Sequence, residues 1–173
     1  EFFDELCEKY DIHPRLDPCA TSVNRKCLLF YTEEEDGLTE PWEHDVWCNP
    51  PHSITGDFVR KAYNEWLQNN INIMLLVPAN TISTIWWHEY VEDVTEYHAI
   101  KGRIRFLRDG KPSEFVSRNS YILIIYRKMM KVPIVTIVSI VLIVLMVWIS
   151  CLYIAYADQY KTLGIRHSDN PVV

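Results

Sequence analysis

Hydrophobic and polar positions recur with more than one period along this chain, and the changes of period mark its elements. Phe2, Phe3, Leu6 and Tyr10 have helical spacing and predict an opening helix, which Pro14 is expected to end. Short stretches at 15–17 and 27–31 read as strands. Val46-Trp47-Cys48 reads as a buried strand stopping at Asn49-Pro50-Pro51. Phe58, Val59, Ala62, Tyr63, Trp66 and Leu67 share one side of a helical period, an amphipathic helix with Thr55 or Asp57 as its cap. Residues 71–77, apolar but for Asn72, read as a strand of the kind found in parallel sheets covered on both faces. Pro78 closes that run, and Thr81 or Ser83 opens a helix through Trp86, Trp87 and Tyr90. Residues 97–107 suggest a strand pair around Lys101-Gly102, Asp109-Gly110 a turn, and residues 121–126 a last strand. The alternation of strand and helix predicts an α/β sandwich with mostly parallel strands.

Residues 132–157 follow none of these periods. They carry no charge, and only Pro133, Thr136, Ser139 and Ser150 fall outside the hydrophobic set. As a helix the run spans about 39 Å, more than the ~30 Å hydrocarbon core of a bilayer. A buried core helix of that length carries a polar stripe, and this run has none. Trp148, Tyr153 and Tyr156 gather towards its far end like an interfacial aromatic belt, and Pro133 sits in its first turn. The expectation is a single-pass transmembrane helix with a lipid bilayer as partner. Arg127, Lys128 and Lys131 precede the run more densely than Lys161, Arg166 and His167 follow it. That bias puts the large domain on the cytosolic side, or the equivalent side of a virion's internal membrane. The expected organisation is an α/β domain over 1–127, a basic juxtamembrane segment and membrane helix over 128–157, and a polar tail over 158–173. No signal peptide is expected at the charged amphipathic start, and the absence of an initiating methionine points to a missing upstream part.

Composition narrows the function classes. With 49% hydrophobic residues in 173, the chain is too apolar to be disordered. Its net charge of -6, from Lys+Arg 17 and Asp+Glu 23, excludes a polybasic nucleic-acid binder, so any DNA contact needs a local basic patch. Glycine-rich phosphate loops are absent. Cys7, Cys19, Cys27, Cys48 and Cys151 are odd in number and never spaced as C-x-x-C, which favours buried free thiols in a reducing compartment over a zinc site.

The strongest candidate chemistry lies at Asn49-Pro50-Pro51-His52. A strand ending in Asn-Pro-Pro places a rigid loop at the carboxyl edge of a sheet, where α/β proteins bind ligands. The Asn49 side chain and the Pro50 carbonyl could both accept from one exocyclic amine, keeping its lone pair exposed for attack on an electrophilic methyl. A ring next in line could stack on a flipped-out base. The competing reading is an ordinary strand-to-helix turn. Lys101, Arg103, Arg105 and Arg108 form a second candidate. On a strand the first three share a face and could meet DNA phosphates; the alternative is a charged, solvated edge strand. Trp86-Trp87-His88 offers either aromatic surface for a base or core packing.

Several further stretches complete an ordered set: Leu16-Asp17-Pro18-Cys19-Ala20-Thr21, Tyr31-Thr32-Glu33 with Asp36-Gly37-Leu38, Val46 to Pro51, Lys61-Ala62, Leu76-Val77-Pro78-Ala79, Trp86-Trp87-His88, and Ile100-Lys101-Gly102-Arg103-Ile104-Arg105-Phe106. Through them the chain resembles the phage-type DNA N-6-adenine methyltransferase family from about residue 3 to residue 126. The resemblance implies a reduced Rossmann-like methyltransferase sandwich, here followed by a single transmembrane helix. It also implies S-adenosylmethionine as methyl donor and adenine in DNA as acceptor. Asn49, Pro50, Pro51 and His52 would then hold the target base, and Asp17, Pro18, Cys19 and Ala20 the donor; no metal is implied. The family usually has an aromatic residue where His52 stands and an arginine where Asn80 stands, and its pattern includes no membrane span. An alternative is therefore a catalytically inactive methyltransferase-like domain, serving as a structural membrane or minor capsid protein of a large DNA virus with other capsid or membrane proteins as partners.

Overall fold

The computed structural model describes residues 2–108, 111–114, 116–129 and 134–162. The chain divides into two units, Glu1–Met129 and Met130–Val173.

A six-stranded sheet organises the first unit. Its strands are β1 (Leu16–Asp17), β2 (Leu29–Phe30), β3 (Val46–Cys48), β4 (Ile73–Pro78), β5 (Glu96–Ala99) and, after the small hairpin of β6 (Leu107–Arg108) and β7 (Lys111–Pro112), β8 (Tyr121–Tyr126). Their order is β2-β1-β3-β4-β8-β5. β4 and β8 are buried at every residue. Their side chains divide by parity, as the two-residue period of a strand requires. Ile73, Leu75, Val77, Ile122, Ile124 and Tyr126 share a core with Phe58, Val59 and Ala62 of helix α2 (Thr55–Asn69) and Trp87 of α3 (Ile85–Tyr90). Met74, Leu76, Leu123 and Ile125 share another with Leu6, Cys7 and Tyr10 of α1 (Phe2–Tyr10). Each fully buried aliphatic side chain contributes about 1.5–3 kcal/mol of transfer free energy. Both faces of the central strands are therefore dry, which explains the unbroken apolar run over 73–77; Asn72, just before β4, bonds to Asp45 instead. The result is a mixed α/β sheet flanked by helices, consistent with a Rossmann-like fold.

Several local expectations differ from the structure. The sheet is parallel from β2 through β1 and β3 to β4, but β8 runs antiparallel to both β4 and β5. Among the described residues joining β5 and β8 there is no crossover helix, and the second enters in reverse. Helix α1 ends at Tyr10, well before Pro14, because Asp11 takes a left-handed φ of 52° and the Ile12 N–H bonds to the Cys7 carbonyl at 3.1 Å. Neither Thr55 nor Asp57 caps α2: Ile54 holds that position without a side-chain bond, and Asp57 pairs with Arg60 at 3.1 Å. The helix after Pro78 begins only at Ile85, after a short 3-10 turn over Ala79–Thr81.

The stretch 97–107 is not a strand pair around Lys101-Gly102. β5 stops at Ala99, Gly102 turns the chain at φ 84°, and residues 103–106 belong to no strand. Lys101, Arg103 and Arg105 are exposed while Ile104 is buried, so the alternation is real although no ladder forms. Arg108 stands in β6. The expected turn at Asp109-Gly110 lies outside the described residues.

The second unit contains α4 (Ile134–Thr162). Within it Val138–Tyr156, 19 residues, is long and apolar enough to cross a membrane, and none of that stretch is buried. At ~1.5 Å per residue it reaches about 28 Å, close to a bilayer's hydrocarbon thickness. Ser150 satisfies its hydroxyl internally, donating to the Met146 carbonyl at 2.8 Å. Lys131, Val132, Pro133 and the tail beyond residue 162, including Arg166 and His167, lie outside the described residues.

Candidate active site

Strand order decides where a ligand can sit. The chain leaves β1 for β2 on one side and returns to β3 on the other, and all these strands run parallel. A crevice opens at the carboxyl ends of strands flanking such a reversal. A cavity of about 700 Å³ lies there, lined by Asp17 at the end of β1, Cys19 just beyond it and Asn49 after β3. That volume falls within the range of cofactor sites.

Aromatic rings wall the cavity: Phe3 and Trp47 meet edge to face with centroids 5.2 Å apart, and Phe106 lies among the other lining residues. Both signs of charge are present, with Asp4, Glu5 and Asp17 against Arg25, Lys26 and Arg105. Such a lining suits a ligand that combines a flat heterocycle with ammonium and carboxylate groups.

Asp17 is buried, 3% exposed. Its Oδ2 accepts from the Lys26 backbone N–H at 3.0 Å, whereas its Oδ1 has no hydrogen-bond partner. Desolvation pushes its pKa up to about 6, opposed by the backbone N–H groups of Lys26 and Cys19 and by the Lys26 charge. A buried acceptor without a donor at a cavity wall is costly unless a ligand supplies one. On this observation the residues present fit a donor molecule bearing ammonium or hydroxyl groups. Gly37 supports the same loop from below. A Cβ there would stand 2.0 Å from the Pro18 carbonyl oxygen, so only glycine lets the 32–37 turn close against it. Pro18 and Ala20 are buried and serve this backbone, Ala20 through an N–H bond to the Tyr31 carbonyl at 3.0 Å.

The Asn-Pro-Pro corner is stitched to the helix that follows. Thr55, 3% exposed, donates its hydroxyl to the Pro51 carbonyl at 3.1 Å and lies 3.3 Å from that of His52. The Ile54 N–H also reaches Pro51, at 3.2 Å. Asn49 is half-buried at the cavity, Pro50 buried, Pro51 exposed and His52 exposed. Behind the corner, burial raises the Cys48 thiol pKa, as does its hydrogen bond with Cys19. Burial also pushes Cys27 up to about 12, aided by the charges of Asp17 and Cys7. All five cysteines are free, and among the described residues no cluster of His, Cys, Asp or Glu is placed to hold a metal.

The structure thus brings Asp17, Cys19, Asn49 and Arg105 to one cavity. His52 does not line it. Lys101 and Arg103 are exposed outside it, and the Arg103 guanidinium bonds to the Arg118 carbonyl. Trp87 is core, 2% exposed. Trp86 is half-buried against Gly56, whose Cβ position would lie 2.6 Å from its ring. Sequence reasoning missed the Phe3–Trp47 wall, the Thr55 stitch and Tyr121, whose hydroxyl lies 3.3 Å from His52 Nε2. Thr55 was visible only as a hydroxyl near a helix start, and Tyr121 only as a strand residue.

Comparison with known proteins adds independent findings. A family model for DNA N-6-adenine-methyltransferase (Dam) matches residues 1–144. A DNA N-6-adenine-methyltransferase of Escherichia phage T1 is 34% identical over 136 residues, covering 68% of this chain and 55% of that protein. Another, of Haemophilus phage HP1 (strain HP1c1), is 28% identical over 118 residues, covering 67% of this chain and 68% of that protein. The chain therefore spans between about half and two thirds of the length of these relatives.

Proposed function

The chain belongs to the DNA N-6-adenine-methyltransferase family, and from that membership we propose that it transfers a methyl group from S-adenosylmethionine to the N6 amine of adenine in DNA. The observation that carries the proposal is the shared cavity: Asp17 at the end of β1 and Asn49 after β3 open onto one crevice at the reversal of strand order. S-adenosylmethionine supplies an electrophilic methyl on a sulfonium. Asp17 Oδ1 would accept from a polar group of the donor, and the Phe3, Trp47 and Phe106 rings would hold its heterocycle. The Asn49 side-chain oxygen and the Pro50 carbonyl accept the two N6 hydrogens of a flipped adenine, leaving its lone pair aimed at the methyl. With that donor bound, the N6 lone pair would form the N–C bond as the S–C bond broke towards sulfur, and the surplus N6 proton would leave to solvent. Lys101, Arg103 and Arg105 meet DNA phosphates from their exposed positions, a local basic patch on an acidic chain. Val138–Tyr156 tethers this chemistry to a membrane, with the α/β domain on the cytosolic side.

Incubation of the full chain with labelled donor and unmethylated DNA tests the proposal. Incorporation at adenine N6 is expected, with Asn49→Ala lowering it on the order of 10²-fold or more, the scale seen on removing one preorganised polar contact. Wild-type chain that binds donor yet methylates nothing refutes it. His52, a smaller stacking face than the usual aromatic ring, favours a second reading: a non-catalytic scaffold at a membrane or beneath a viral capsid. Specific micromolar binding of S-adenosylmethionine in a calorimetric titration speaks against that reading.

A further inference from the structure

Tyr121, at the start of β8, is buried, 3% exposed, and its hydroxyl points at the corner rather than into the core. Four groups line up with compatible directions. The Asn119 N–H donates to Ser117 Oγ at 3.2 Å, and the Ser117 hydroxyl donates to Tyr121 Oη at 3.3 Å. Tyr121 Oη then lies 3.3 Å from His52 Nε2, with ring centroids 6.1 Å apart. The Tyr121 oxygen accepts from Ser117, which leaves its own hydrogen free to donate to an Nε2 that carries none. A ring nitrogen that accepts carries no proton, so in that direction His52 is the tautomer protonated at Nδ1, and in the reverse direction Nε2–H donates to Tyr121. The network also reaches the cavity wall: Ser117 N–H bonds to the Ile104 carbonyl at 2.8 Å, and Phe106 meets the Tyr121 ring edge to face at 5.3 Å. Both Ile104 and Phe106 line the cavity.

We propose that Tyr121 is a positioning residue whose hydroxyl fixes the tautomer and orientation of His52, holding the imidazole as a flat surface beside the Asn-Pro-Pro corner. An exposed imidazole left to itself rotates about two side-chain torsions and exchanges tautomers. Tethered at Nε2, it presents one face to a flipped base. This role rests on the methyltransferase reading, yet the tether itself is measurable without turnover.

The experiment combines imidazole nitrogen shifts with a double-mutant cycle on the full chain in detergent. The His52 resonances are assigned by their loss in His52→Phe. The expected result is a single tautomer in the wild type and a mixture of tautomers in Tyr121→Phe, with donor affinity unchanged. Tyr121→Phe, which keeps the ring packed on Phe106, is expected to lower kcat about three- to tenfold, the scale of one hydrogen bond. In the His52→Phe background the same substitution is expected to change nothing. A loss of equal size in both backgrounds overturns the proposal, since a merely structural hydroxyl acts whatever stands at His52. An unchanged tautomer in Tyr121→Phe overturns it as well. Absence of methylation by the wild type ends the methyltransferase reading, while the nitrogen shifts still decide the tether.

Discussion

Buried at the end of β1 with one oxygen unpartnered, the Asp17 carboxyl is held at a pKa of about 6, against 3.8 for the free group. The folded chain keeps this proton through a window where the unfolded chain has lost it. Its contribution to stability is therefore complete below about pH 4, falls as pH rises through 6, and stays lost above that. The loss is about 3 kcal/mol, set by the burial of an ionised group without full compensation. Asp17→Asn is expected to raise stability at pH 7 by about 1–3 kcal/mol and to flatten this acid-side slope, as read from urea unfolding at several pH values. The same variant is expected to lose S-adenosylmethionine binding in calorimetry. Greater stability with undiminished binding would show that the carboxyl is not the donor's partner.

Elements hold the two halves of the site by different means. The β1 end is shaped from outside, by the 32–37 turn closing on the Pro18 carbonyl through Gly37. The β3 end is shaped from within, by two prolines and the Thr55 hydroxyl. Gly37→Ala places a methyl 2.0 Å from backbone that cannot yield without moving Asp17. That overpacking is expected to cost about 1–3 kcal/mol and to weaken donor affinity several-fold, while the β3 corner keeps its geometry. Thermal unfolding and donor titration measure the two effects separately. The 101–106 stretch shows where local pattern misleads. Arg103, Ile104 and Arg105 alternate as a strand does, but Gly102 turns the chain out of β5, and isolated bonds such as Ser117 N–H to the Ile104 carbonyl at 2.8 Å do not make a ladder.

At the scale of the whole molecule, each unit poses a separate question. The first closes its own account of polar groups at the exit of β8. Asn72 Oδ1 accepts from the Lys128 N–H at 2.8 Å, Asn70 Nδ2 donates to the Met129 carbonyl at 3.1 Å, and Arg127 pairs with Glu96 at 2.7 Å. Truncation after Met129 is therefore expected to leave the unfolding midpoint in denaturant and the methylation rate per molecule within about twofold of the full chain. Truncation after Tyr126 removes these bonds and is expected to destabilise by about 1–3 kcal/mol. The full chain is expected to remain with membranes through an alkaline carbonate wash, and the chain cut after Met129 to be released. Release of both would remove the anchor reading while leaving the methyltransferase proposal untouched.

Much of the architecture was legible in residue order. Helix and strand periods depend on side chains a few positions apart, so α1, α2, β3, β4, β8 and the apolar run of α4 could be read locally. The Asn-Pro-Pro corner was readable because proline restricts its own backbone wherever the rest of the chain goes. Other features depend on residues that only folding brings together. The antiparallel entry of β8, the orphaned Asp17 oxygen, the Phe3–Trp47 wall and the Tyr121–His52 tether each join positions far apart in sequence. No local pattern encodes such pairings, because burial and hydrogen-bond geometry are properties of the packed sheet. Residue order thus determined which chemistry the chain could carry, and tertiary packing decided which groups face one another across the cavity.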